Sequence, residues 1–269
     1  MSPFMATETR ELQSVTVERS DGVVTITLRR PEKKNAIDGA MWDELLAEFR
    51  TIGESSTDRA VVLTGAGGNF CSGADLWAGA DGQDPKHQLA AMRTISGICM
   101  SLHRLPQPTV AKVRGVAVGA GLNMALGCDL IVADDTARFS EIFARRGLSI
   151  DFGGSWVLPR LVEMHRAKEL SLLADIIGAE EAAAMGLVNR VLPADELDAF
   201  VDDWAHRLAC GPPIALAMTK RLLNNSLNVT LEEALDDEGL SQSVNFATGD
   251  TAEAISAFME KREPVFKGR

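Results

Sequence analysis

Up to Leu192 the chain alternates short apolar strands with helical segments, and this alternation limits its fold more than any other feature. β-branched residues flank the turn dipeptide Asp21-Gly22, which predicts a hairpin between residues 15–18 and Val23–Leu28. Such strand and helix alternation is typical of an α/β protein. Further strands are predicted at 60–64, 109–113 and 130–133, helices from about Asp38, at 89–105 and at 121–126, and a polar loop at 79–88.

Beyond Leu192 the composition changes to helix-forming residues. Helices are predicted at 195–209, 213–225, 230–247 and 250–261, with no further strand. We therefore expect a boundary near 195. It divides the chain into an N-terminal tail (1–10), an α/β core (11–195) and a helical C-terminal region (196–269).

Composition narrows the classes of partner. A chain of 269 residues with 46% apolar content can bury a sizeable core, while its formal net charge of −11 argues against nucleic acid or an anionic membrane as a partner. The N-terminal decapeptide has no apolar leader segment, and no apolar run reaches spanning length, so a cytoplasmic protein is expected. Four scattered cysteines lack ligand spacing, so neither a metal site nor a disulfide frame is predicted.

Two glycine-rich turns, about fifty residues apart, each present a small residue with an accessible amide. In the first, Gly73 permits a sharp turn before Ala74; in the second, Gly119 precedes Ala120 at the start of a predicted helix. Two such amides can share one carbonyl oxygen. The pair therefore predicts an oxyanion hole suited to a thioester enolate, in which donors aimed at developing charge stabilise the transition state.

Five motifs in order resemble the crotonase superfamily, also called enoyl-CoA hydratase/isomerase, over residues 15–266. The resemblance implies a spiral of ββα repeats followed by a helical oligomerisation region, commonly giving trimers or paired trimers. It also implies an acyl-CoA substrate, with coenzyme A as part of that substrate and no permanently bound cofactor. The motifs are Arg30 to Ile37, the two glycine turns, Cys128-Asp129, Gly147 to Pro159, and Phe258 to Arg262.

The resemblance also implies which residues meet coenzyme A. A basic cluster lies beside the first glycine turn, and two C-terminal residues spaced i and i+3 on one helix face often reach the ligand from a neighbouring subunit. A solvated basic face and a packed Phe are the alternative interpretation. The implied positions are Arg30, Lys33, Lys34, Ala36, Ala74, Asp75, Leu76, Phe258 and Lys261.

Hydratases of this family use two glutamates to activate water. The matching positions here are Asn123 and Phe143, and neither side chain can act as a base. Losing such a group typically costs about 10²–10⁴-fold in rate, so hydration by the usual route is disfavoured. Phe143 is either a core aromatic or a residue lining the substrate pocket, and the resemblance puts Asn123, Leu76 and Phe152 in that pocket.

A different carboxylate, Asp151, follows Phe143 by eight positions, between the apolar Ile150 and Phe152. Apolar surroundings raise a carboxyl pKa toward values useful for proton exchange with carbon. The position matches the aspartate of double-bond isomerases and ring-opening isomerases in the family. The alternative is that Asp151 caps the following helix. Glu141 is expected to be a surface or interface acid.

Three functions remain open from the sequence. The first is an acyl-CoA isomerase in which Asp151 moves the proton and the amides of Ala74 and Ala120 hold the thioester oxygen. The second is an enoyl-CoA hydratase that uses Asp151 or Glu141 while Asn123 orients water. The third is an acyl-CoA-binding protein without catalytic activity.

Overall fold

A computed structural model describes residues 7–76 and 88–269. Within them the chain forms one seven-stranded and one three-stranded sheet. The strands are β1 (Glu8–Glu11), β2 (Val15–Ser20), β3 (Val23–Leu28), β4 (Ala60–Gly65), β5 (Thr109–Val113), β6 (Val116–Val118), β7 (Leu130–Asp134), β8 (Arg138–Ser140), β9 (Ile177–Gly178) and β10 (Arg190–Leu192).

The larger sheet has the order β1-β2-β3-β4-β5-β7-β10. Strands β2 and β3 form the predicted antiparallel hairpin, and β4, β5, β7 and β10 continue the sheet in parallel. In the smaller sheet β6 pairs in parallel with β8, and β8 pairs antiparallel with β9. A strand pair followed by a helix recurs along the chain, so the predicted α/β class and the crotonase-like repeats are confirmed.

Helices follow the strand pairs and then make up the C-terminal part. The first begins where the Asp38 carboxylate accepts a hydrogen bond from the Met41 amide at 2.9 Å, which is an N-cap. The helices are α1 (Gly39–Glu54), α2 (Gln88–His103), α3 (Ala120–Leu126), α4 (Gly154–Leu173), α5 (Ala179–Ala184), α6 (Leu197–Cys210), α7 (Pro213–Asn225), α8 (Leu231–Phe246) and α9 (Gly249–Glu260).

The parallel sheet is covered by apolar side chains on both faces. On one face, Val61 and Leu63 of β4 belong to the main core with α1 and α3. On the other face, Val62 packs with Leu197 and Val201 of α6. Because successive strand residues point to opposite faces, β4 serves both layers. Helix α6 lies beyond the boundary expected near 195, yet it covers the sheet of the core.

Two expectations need comment at the ends of these elements. Residues 8–10 of the expected N-terminal tail belong to β1, because they pair with β2 and extend the sheet edge. The polar loop expected at 79–88 lies outside the described residues except for Gln88, which begins α2. Among the described residues, no helix is long and apolar enough to span a membrane.

Candidate active site

Short parallel bridges bring the two glycine turns side by side. Cys71 pairs with Ala117, with the Cys71 amide donating to Val116 and the Val118 amide donating to the Cys71 carbonyl. A Cβ on Gly121 would lie 2.5 Å from that carbonyl, so the helix after the second turn can approach only because the position is glycine. The turns are therefore locked together through their backbones.

The two amides expected to hold an oxyanion are those of Ala74 and Ala120. The Ile37 amide donates to Gly73 and the Asp75 amide donates to Ile37, so in this parallel bridge the Ala74 N–H points away from Ile37. Ala120 is the first residue of α3, where an amide has no intrahelical partner. Neither amide donates to another of the described residues.

Arg30 is held inside the protein rather than turned outward. Its guanidinium donates to the Ala36 carbonyl at 2.6 Å and lies 3.2 Å from the Asp38 carboxylate and 3.1 Å from that of Asp75. Only 17% of its side chain is exposed. Arg30 therefore fixes the segment beside Ala74, and its contact with a phosphate of coenzyme A stays a prediction.

Lys33 and Lys34 are the exposed cations of the predicted basic cluster. The Lys33 ammonium lies 3.8 Å from Asp75, with 52% of its side chain exposed. Lys34 is exposed in the left-handed region at φ 50°. The Ser72 side chain and amide donate to the carbonyls of Lys33 and Lys34, which ties both residues to the first glycine turn.

The two C-terminal residues of the predicted coenzyme A site lie at the end of α9. Phe258 is 82% exposed, and Lys261 caps the helix in a left-handed conformation. Among the described residues, the Lys261 ammonium forms no ion pair. Leu76, a predicted pocket residue, is also exposed. Within one chain these side chains therefore remain open to a ligand or a neighbour.

Asn35 anchors the site and is a residue that the sequence analysis did not single out. Its buried side chain donates to the carbonyls of Ala66 and Asn69 and accepts from the Arg30 amide. These bonds join the basic segment to the loop after β4. An Asn beside tandem lysines before a helix cap could have indicated the left-handed turn observed here at φ 56°.

Asp151 begins a tight turn that leads into α4, since the Gly154 amide donates to the Asp151 carbonyl at 3.0 Å. Phe152 and Gly153 both have positive φ, at 47° and 79°, and Gly153 is the N-cap of the helix without a side-chain cap bond. The Asp151 carboxylate is partly buried, its Oδ1 has no partner among the described residues, and burial raises its pKa to about 6. The alternative role as a helix cap is therefore wrong.

Asn123 and Phe143 both lie against these turns. The Asn123 side-chain amide donates to the Asp151 carbonyl at 2.9 Å, and it packs where a Cβ on Gly154 would stand. Phe143 is 7% exposed, and its ring lies 3.6 Å from the position of a Cβ on Gly119. Phe143 thus packs over the second glycine turn, close to the site but within the core.

Glu141 corrects an expectation, because it is fully buried at 0% exposure rather than a surface acid. Its Oε2 accepts a hydrogen bond from Asn123 Nδ2 at 3.3 Å. Its pKa is raised to about 8, chiefly by burial; the hydrogen bond from Asn123 opposes the shift, and the charge of Asp151 adds to it. The earlier inference failed because the short turn after β8 directs this side chain inward under α3.

A cavity of about 890 Å³ lies between α2, the start of α4 and α7. Its wall includes Phe152 and Gly153, directly after Asp151, together with Cys99 and Trp156. Asn123, Phe143 and Leu76, which were expected in the substrate pocket with Phe152, are not among its described lining residues. Burial and the nearby Asp151 charge raise the pKa of the Cys99 thiol to about 11, so that group stays uncharged.

Fold and turns together define an α/β protein in which two adjoining glycine turns present backbone amides and a third turn, before α4, carries a partly buried carboxylate. The sequence pattern of the family described as enoyl-CoA hydratase/isomerase matches residues 18–269. The chain therefore belongs to the enoyl-CoA hydratase/isomerase family of the crotonase superfamily.

Known proteins in this family carry different activities. The chain is 40% identical to a protein named probable enoyl-CoA hydratase from Rhodobacter capsulatus, over 95% of this chain and 98% of that one. It is 35% identical to the 1,2-epoxyphenylacetyl-CoA isomerase of Escherichia coli, over 92% and 96%. The crystal structure of an enoyl-CoA hydratase from Bacillus anthracis matches with a TM-score of 0.91 at 34% identity, over 96% and 100%.

Proposed function

We propose that the protein is an acyl-CoA isomerase that shifts a carbon–carbon double bond, with Asp151 as its base. The observation that carries this proposal is the Asp151 carboxylate, which has one oxygen without a protein partner and a pKa raised to about 6 by burial. A carboxylate of this kind is ionised at neutral pH and basic enough to exchange a proton with carbon. The similarity to an acyl-CoA isomerase at 35% identity supports the same reaction class.

The proposed step balances without a co-reactant. Asp151 takes a proton from the α-carbon of a Δ3-enoyl thioester, and the electron pair moves onto the thioester oxygen to give a dienolate. The amides of Ala74 and Ala120 donate to that oxygen as its charge develops. Asp151 then returns the proton to the γ-carbon, and the carbonyl forms again beside a Δ2 double bond.

Substrate contacts in this proposal follow from the exposed groups near the turns. Lys33 and Lys34 meet the phosphates of coenzyme A, while the acyl chain extends past Phe152 into the adjoining cavity. Phe258 and Lys261 reach the ligand of a neighbouring subunit in a homo-oligomer. Large exposed apolar side chains on the last two helices support that assembly, namely Leu231, Leu235, Leu240, Val244, Phe246, Ile255, Phe258 and Met259.

Hydration is the second candidate function, and the buried pair of Glu141 and Asn123 favours it. Their hydrogen bond leaves Asn123 Oδ1 without a partner among the described residues, so that oxygen can orient a water molecule. The relative named a probable hydratase supports this candidate too. However, Asn123 cannot accept the water proton, so Asp151 or Glu141 would have to do so.

Asp151→Asn tests the proposal because it keeps the shape of the side chain and removes the base. We expect the variant to bind acyl-CoA as the parent does and to lose at least about 10²-fold in isomerase rate and in deuterium exchange at the α- and γ-carbons. The parent rate should rise with pH through about 6, as Asp151 loses its proton. Asp202→Asn, an exposed change in α6, is the matched control.

Substrates for this test are Δ3-enoyl, Δ2-enoyl and dienoyl thioesters, with products identified by mass and ultraviolet spectra. A parent enzyme that hydrates a Δ2-enoyl thioester but isomerises none of the panel would contradict the proposal and support the hydratase. A parent that binds the thioesters tightly and converts none would instead support the binding protein.

A further inference from the structure

Glu141 is a buried carboxyl that the proposed reaction does not use. It lies at the turn after β8, fully buried, and no Lys or Arg among the described residues forms an ion pair with it. Of its two oxygens, Oε2 accepts from Asn123 and Oε1 has no partner in the described part of the chain. Burying such a group is costly in free energy unless it makes compensating contacts.

Two hydrogen bonds of the Asn123 side chain connect Glu141 to the Asp151 turn. A carboxamide has two N–H donors, and here one points to Glu141 Oε2 at 3.3 Å while the other points to the Asp151 carbonyl at 2.9 Å. Both acceptors therefore require the same orientation of the amide. The Asn123 side chain is also wedged against Gly154, where a Cβ would lie 2.4 Å from its nitrogen.

We propose that Glu141 is a positioning residue for Asp151: its carboxyl anchors the Asn123 carboxamide, which in turn holds the backbone of the Asp151 turn. The inference rests on the proposed role of Asp151. Phe152 in this turn has a positive φ of 47°, a conformation that a bulky residue adopts only when its surroundings hold it there. The bond from Asn123 to the Asp151 carbonyl is one such constraint, and Glu141 fixes its donor.

The protonation of Glu141 sets an upper limit to the pH range in which the proposed reaction is fast. Its pKa of about 8 lies above the value of about 6 for Asp151, so between these values Asp151 is a carboxylate and Glu141 is neutral. At higher pH the charge of Glu141 opposes both the Asp151 carboxylate and the enolate. Asp151 is the titratable group that interacts with Glu141 among the described residues; Cys99, on α2, faces Asp151 and stays protonated.

Two variants separate positioning from charge. Glu141→Gln keeps an acceptor for Asn123 without the acidic proton, so the isomerase rate near pH 7 should stay within about threefold of the parent, and the loss of rate above pH 8 should disappear. Glu141→Leu removes the acceptor, so kcat should fall by at least about tenfold with little change in KM, because misplaced catalytic groups slow the chemical step. The rise of rate near pH 6 should remain in both.

Infrared difference spectra of the ligand-free protein provide a readout that needs no turnover. A protonated carboxyl band should be lost on titration near pH 8 in the parent and be missing from Glu141→Gln, which tests the charge of Glu141 even if the isomerase proposal fails. With isomerisation present, a Glu141→Leu variant of parental kcat would overturn the positioning role. If Glu141→Gln still loses rate above pH 8 as the parent does, that loss does not come from the charge of Glu141. If Glu141→Gln loses as much rate near pH 7 as Asp151→Asn does, Glu141 transfers a proton and is not a positioning residue.

Discussion

The region at the starts of α3 and α4 differs from the last two helices, α8 and α9, in which kind of side chain is withdrawn from solvent. Around Asn123, Glu141 and Asp151, polar groups are withdrawn from solvent and hold one another through hydrogen bonds at 2.9 and 3.3 Å. On α8 and α9, apolar groups face outward, and Phe258 is 82% exposed. The first region buries polar groups that water would otherwise hydrate, and the second exposes apolar side chains that proteins usually bury.

This contrast separates the chemistry from the assembly. The buried polar region contains the proposed base, Asp151, and the groups that hold its turn. Unpaired polar atoms inside a protein are costly, and Asn123, Glu141 and Asp151 each have one without a partner among the described residues. Large exposed apolar patches mark interaction surfaces, so we expect the helical region to complete its packing in the proposed oligomer. Changes in the first region should therefore alter kcat, and changes in the second should alter assembly and KM.

The largest effect is expected from Ala120→Pro, which removes one donor of the proposed oxyanion hole. Proline is tolerated at the first position of a helix, so α3 should still form while the amide is lost. We expect kcat to fall by about 10²–10³-fold. Steady-state kinetics with the preferred thioester, and thermal unfolding of both proteins, measure the two consequences separately.

Ala120→Gly is the control, because it keeps the amide and the turn. It should retain the rate of the parent within about threefold, since only a methyl group is lost. If Ala120→Pro folds and turns over as fast as Ala120→Gly, the Ala120 amide does not hold the reacting oxygen. A ligand-bound structure with the thioester oxygen beyond about 3.5 Å from both amides would exclude the arrangement, since useful donors lie near 2.7–3.1 Å.

A smaller effect, on the free energy of unfolding, is expected when one glycine in each region is changed to alanine. Gly154→Ala would place a Cβ 2.4 Å from the Asn123 carboxamide, whereas a Cβ on Gly239 of α8 meets no atom within 4 Å. The first change should destabilise the protein by about 1–3 kcal/mol through overpacking. The second should stabilise it by about 0.5–1 kcal/mol, since Gly is a weak helix former. Denaturant unfolding measures both, and equal effects would mean that the packing around Asn123 is not rigid.

The sequence could predict β2, β3, β4, β5 and β7 and most helix positions because local patterns encode them, but not the three-stranded sheet or the edge strands β1 and β10. The Asp21-Gly22 hairpin and the helix expected from about Asp38 depend on neighbouring residues and were found where expected. Glu141 was misjudged because its burial depends on how β8 and α3 meet, which no spacing along the chain shows. Likewise, the guanidinium of Arg30 contacts Asp75 and the side chain of Asn35 donates to the carbonyls of Ala66 and Asn69, and only the folded backbone brings these segments together.

The helix α6 shows the same limit at the boundary expected near 195. Its position in sequence suggested that it belongs with the C-terminal helices, but Leu197, Val201 and Ala205 cover Val62, Val110 and Val132 of the sheet. A fragment of residues 1–195 should therefore expose that face of the sheet. The assembly region proper is better tested by substitutions in α9, which leave the core intact.

The smallest effect is expected from Lys261→Ala at the end of α9. A single exposed charge near a phosphate contributes about 0.3–1 kcal/mol, so KM for the acyl-CoA should rise about two- to fivefold while kcat stays constant. Lys267→Ala, which removes a cation nearby in sequence, should leave KM unchanged.

Light scattering at the assay concentration tells whether the protein is oligomeric. A full-length monomer with unaltered affinity for coenzyme A would contradict a shared site, and Lys261→Ala would then have no effect on KM. An oligomer in which Lys261→Ala raises KM and Lys267→Ala does not would support a contact across the subunit boundary.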